Sequence, residues 1–185
     1  MKRRTWIPAA LSAILVAGLL ALPTALAAPG GGRILVTVAS LDWKALGSDA
    51  ILSNGLDVSL LTVATDDTTA IAGAAPDLPT AFNGRRLRLV EVQFCYDATA
   101  TGVSMTSFVM RVQDDTTGAN SGNPVAGVGD TTARTDETCR IYPVDWVLEP
   151  GNMAAAGIQV HFDTAGAYFE IGRLTFVLEP TNDPI

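Results

Sequence analysis

Two cysteines, one histidine and nineteen acidic side chains are the reactive material of this 185-residue chain. Cys95 and Cys139 are far apart in sequence, with no CxxC spacing and no base beside them. In an oxidising compartment such a pair forms a structural disulfide, and closing a loop of that length would stabilise by about 4 kcal/mol. His161 is the sole imidazole, and no G-x-S-x-G elbow is present to supply a nucleophile. His161 and Asp163 alternate onto one strand face, which reads as a polar surface pair. One His and two Cys are too few for a structural zinc site.

The carboxylates suggest two further chemistries. Glycoside hydrolysis needs two acids at a fixed separation, and Asp145, Glu149, Glu91 and Glu170 could supply a pair, although none sits in a motif. Calcium takes oxygen ligands from acidic loops, and Asp66, Asp67, Asp114, Asp115 and Asp130 are the candidates. They lack the ordered D-x-[DN]-x-[DN]-G series, so turn acids that solubilise loops are the expectation, and no cofactor is implied beyond that ion. Rings that stack on sugars are exposed Trp or Tyr. Trp43, in Leu41-Asp42-Trp43-Lys44, is the one aromatic outside a clear alternation. It is the candidate ligand-binding residue, with a plug at the core edge as its other reading.

These residues must be carried by strands. After residue 28 no long helical period appears; short apolar–polar alternation recurs, broken by Gly, Pro, Asn and Asp. Strands are predicted over 33–39, 56–64, 86–96, 103–113, 139–148, 155–163 and 168–179, with a shorter one near 125–128. A turn or two of helix fits only 41–46 and 69–75. Asn54-Gly55 and Asn83-Gly84 are tight-turn signals. Val90, Val92, Phe94 and Tyr96 share one face, as do Phe108, Met110 and Val112, and Tyr142, Val144, Trp146 and Leu148. Leu87 and Leu89 fall on the wrong parity for their strand, which predicts a bulge near Leu89–Val90. The expected fold is all-β: an antiparallel two-layer sandwich of about eight strands, jelly-roll or immunoglobulin-like.

The N-terminus reads as an address. Lys2, Arg3 and Arg4 precede an uncharged run from Ile7 to Leu22, and Ala25-Leu26-Ala27 supplies the small residues a signal peptidase requires. Residues 1–27 are therefore a predicted signal peptide and 28–185 a single secreted domain, extracellular or periplasmic, of bacterial origin. Taking Lys2, Arg3 and Arg4 from the 12 basic residues leaves 9 against 19 acidic ones, a net charge of −10. That balance argues against nucleic acid as a partner. After cleavage no segment suggests membrane attachment. The leading functional expectation is a non-catalytic binding or surface-associated domain for an unknown extracellular ligand. The alternatives are a structural subunit that self-associates through strand edges such as 56–64, and a small carboxylate hydrolase.

Overall fold

The computed structural model describes residues 26–27, 32–39, 42–55, 57–114 and 124–184. Most of the predicted leader and Asp115 lie outside these residues, and Asp114 is described only as the last residue of a strand. Thirteen strands are present among them: β1 (Leu26–Ala27), β2 (Ile34–Val38), β3 (Lys44–Ala45), β4 (Ala50–Asn54), β5 (Ser59–Val63), β6 (Thr68–Ala74), β7 (Ala81–Phe82), β8 (Arg85–Asp97), β9 (Val103–Asp114), β10 (Pro124–Asp130), β11 (Glu137–Val147), β12 (Asn152–Phe162) and β13 (Tyr168–Pro184).

They form two antiparallel sheets. In sheet A, β11 pairs β8 and β8 pairs β13. The other edge of β13 is shared by β5 at Tyr168–Ile171 and β2 at Leu174–Leu178. β4 flanks β5, β1 flanks β2, and β7 folds onto the start of β8. Sheet B runs β10-β9-β12-β6-β3. The pairings nest: β5 with β13, β6 with β12, β8 with β11, and β9 with β10. A hairpin of eight strands, rolled so that successive pairs fall alternately in two sheets, is a jelly roll. This decides between the two expected topologies.

Alternation fills the space between the sheets. Phe94 of β8 and Phe108 of β9 stack across it with centroids 4.9 Å apart, and Trp43, Tyr96 and Tyr142 extend the ring cluster on either side. The parity conflict on β8 resolves as expected. Against β13, Glu91 and Leu89 oppose consecutive residues Val177 and Leu178, leaving Val90 as the extra residue. Leu87, Leu89, Val92, Phe94 and Tyr96 are all buried as a result. Tyr142, Val144 and Trp146 pack against the core but are half-buried, and Leu148 is buried. The Asn83-Gly84 turn is confirmed by φ of 50° and 74°, positive angles that the type I′ turn demands.

Three expectations need correction. The helical reading of 69–75 fails, because Thr68–Ala74 is a strand with Ala70, Ala72 and Ala74 facing the core. Small residues concealed its alternation. The helical reading of 41–46 is replaced, in its described part, by the two-residue strand β3. The predicted strand 56–64 is not an open edge, since β5 has β13 on one side and β4 on the other.

Candidate functional site

The expected site residues disperse over the molecule. Trp43 is 1 % exposed, its ring 5.8 Å from Phe94. Its position corrects the ligand-platform reading, because a ring enclosed by the core offers no face to a ligand. The indole Nε1 is buried without a partner. Cys95 and Cys139 are directly opposite on β8 and β11 and are bonded.

The acids are occupied locally. Asp130 accepts the Thr132 N–H at 2.9 Å and an Arg134 N–H at 3.1 Å, and the Tyr142 hydroxyl lies 3.3 Å from it. The Thr132 backbone bond is the main cause that lowers its carboxyl to about 2, aided by the Thr132 hydroxyl and Arg134 against the cost of burial. Tyr142 is pushed up to about 12, first by burial and then by Asp130. Asp66 accepts the Ala165 N–H at 2.7 Å. Asp67 and Asp163 approach His161 Nε2 at 3.5 and 3.1 Å, both largely exposed. The His161–Asp163 pair inferred from parity is therefore present, but among the described residues no hydroxyl or thiol hydrogen-bonds the imidazole. No group of three His, Cys, Asp or Glu among them is placed to hold a metal ion. Asp145 and Glu149 pair with Arg88 and Arg86, and Glu91 accepts from Gln93.

A hollow of about 260 Å³ lies on sheet A beside Cys95, Asp97, Glu137 and Glu170, and a larger hollow surface lies on the outer face of sheet B. Register places Gly129, Val109, Gly157, Gly73 and Lys44 in one row across its five strands. At about 4.8 Å per strand the row spans about 19 Å. Glycine at three of its positions lowers the surface: Gly129 lies open, whereas Leu46 Cδ1 lies over Gly73, 3.0 Å from where a Cβ would stand. A Cβ on Gly157 would meet only the Ala72 carbonyl oxygen, in ordinary contact at 3.7 Å, so a side chain can be accommodated there. Ala155 widens the floor in the adjoining row.

Two hollows of about 300 and 370 Å³ meet over Ala155 and Ala156 to make a trench. Ile71, Ser107, Arg111, Gln113 and Gln159 stand around the first, and Asp42, Lys44 and Leu46 around the second. Leu46 is 52 % exposed, Ile71 is also exposed, and Met153 lies exposed opposite Gln113. An apolar floor with a few polar groups at its margins is the ordinary make-up of a ligand site. Sequence reasoning missed it. Gly73 and Gly157 inside strands were the available signal, since glycine there often marks a close approach. Their alignment depended on a register that the sequence does not display.

No protein-family model matches this sequence, and no curated protein does. The chain is similar in structure to a family 11 carbohydrate-binding module from Clostridium thermocellum, solved with a β-1,3-1,4-mixed-linked tetrasaccharide: TM-score 0.45, 9 % identity, 80 % of this chain and 96 % of that one. It is also similar to the xylan-binding module CBM15, with TM-score 0.44, 12 % identity, and 83 % and 100 % covered. A family 29 carbohydrate-binding module from Piromyces equi matches with TM-score 0.41, 11 % identity, and 78 % and 90 % covered. At these scores the likeness carries no argument; the jelly roll stands on its own strand pairing.

Proposed function

We propose that this is an exported, non-catalytic binding domain that holds an extended ligand in the trench across sheet B. The observation carrying this reading is the pair of hollows that share Ala155 and Ala156 and lie along the row of Val109, Gly157, Gly73 and Lys44. The carbohydrate-binding modules named above only decide which polymers to try first. The test is Gly157→Leu, which fits the space above the sheet and fills the trench floor. Binding to a polysaccharide panel should be lost while the melting temperature holds. Retained binding refutes the site.

Export is part of the proposal and rests on the charged leader and on a cysteine pair bonded in the fold. Intact mass of material recovered from the medium should correspond to a chain starting at Ala28; a mass retaining residues 1–27 refutes it. Leu26 and Ala27 pair with Leu35 and Ile34 in the uncleaved chain, so processing removes β1 while β2 keeps β13.

A second reading, self-association, is favoured by one feature. β4 forms an edge of sheet A, and its Ile51 is 50 % exposed. The corresponding edge strand β11 carries Pro143, which blocks pairing. A monomeric elution at high concentration refutes the self-association reading.

A further inference from the structure

We infer that the ligand of this trench is an acidic polysaccharide, one carrying carboxylates along its length. The inference rests on the trench being the binding site and adds the charge of what lies in it. Once residues 1–27 are removed, acidic side chains outnumber basic ones 19 to 9. In such a chain a cation readily finds a carboxylate, and Arg33, Arg86, Arg88, Arg134 and Arg140 each do. Four cations make no ion pair among the described residues: Arg85 and Arg173 on sheet A, and Lys44 and Arg111, which both border the trench. Lys44 and Arg111 stand on β3 and β9, three strands apart and about 14 Å across the sheet. The first hollow has Arg111 as its sole charge. In the second, Asp42 faces Lys44 but also accepts the Ala39 N–H at 3.2 Å.

The opposite face of the sandwich is mixed in charge, with Arg88 and Arg173 exposed on it beside one acidic row. On sheet A, Glu137, Asp97 and Glu170 stand in one cross-strand row. Like charges in register repel an anion at that row.

A glycan suits the trench better than an acidic peptide does. A peptide held through its backbone needs an open strand edge. The trench floor is mid-sheet, where Gly157 is paired on both sides by β9 and β6. It offers only side chains: small apolar ones to take the C–H face of a sugar ring, and Ser107, Gln113 and Gln159 to reach hydroxyls.

The experiment is affinity electrophoresis of the purified chain in polygalacturonate, neutral galactan and polyglutamate, at low and high salt. Polygalacturonate should retard the protein about tenfold more strongly than galactan, because charge-assisted contacts are about twice as strong as neutral ones. The preference should fade with salt and vanish in the Lys44→Gln/Arg111→Gln double variant, which polygalacturonate and galactan should retard equally. Equal retardation of the unaltered chain by the two glycans, or a preference that survives the double variant, overturns the charge inference; the trench reading stands if Gly157→Leu still abolishes binding. Polyglutamate binding as tightly as polygalacturonate overturns the glycan assignment. Retardation by no polymer overturns both readings.

Discussion

Cys95 and Cys139 face each other across β8 and β11, joined on the side of sheet A that looks away from the core. Phe94 and Tyr96 on either side of Cys95 point inward, so the bond fastens the outside of the sheet. Gly172 passes over it so closely that an added Cβ would lie 2.8 Å from the Cys95 carbonyl oxygen. The Cys95→Ser/Cys139→Ser variant should lose up to about 4 kcal/mol, read as a lower urea midpoint. An unchanged midpoint would mean that the ladder alone fixes β11.

Trp43 should behave as a core residue. Trp43→Ala is expected to cost about 3–5 kcal/mol and to lower the melting temperature sharply. Trp43→Phe should cost far less, because it also removes the partnerless buried indole N–H. Equal losses for the two variants would contradict this account.

Acid should weaken the fold through Asp130. Its carboxyl is depressed from 3.8 to about 2 in the folded chain. A lowered folded value gives stability that is present in full above about pH 5 and is lost as pH falls toward 2. Allowing for solvent screening, the contribution is on the order of 1–2 kcal/mol. Urea midpoints from pH 6 to pH 2 should fall less steeply in Asp130→Asn, which starts lower. Parallel slopes would exclude Asp130 as the source.

Millimolar calcium should leave the melting temperature nearly unchanged. Asp130 is already bonded to Thr132 and Arg134, Asp66 to Ala165, and Asp67 approaches His161. A rise of many degrees, reversed by chelator, would show that these acids rearrange around the ion.

Much of the fold was legible where large apolar residues alternate with polar ones. Phe108, Met110 and Val112, or Phe94 and Tyr96, declare a buried face without further information. Ala70, Ala72 and Ala74 do not, because alanine is a small hydrophobe that favours helix and is depleted in strands, and so β6 looked helical. Trp43 looked available because β3 is only two residues long, too short to show a period. The trench was the least legible part. It depends on which glycine of one strand lies beside which glycine of another, and Gly73 and Gly157 are far apart in the chain. The His161–Asp163 pair was readable because two residues on one strand need no register.

The nested pairing has a consequence for how the protein is made. β13 is synthesised after all its partners, yet it lies in the middle of sheet A between β8 on one side and β2 and β5 on the other. Until it emerges from the ribosome, the earlier strands of that sheet have no common neighbour, and closing such distant pairs is slow. The sandwich therefore closes late, once β13 is there to join β8 and β11 to β2 and β5.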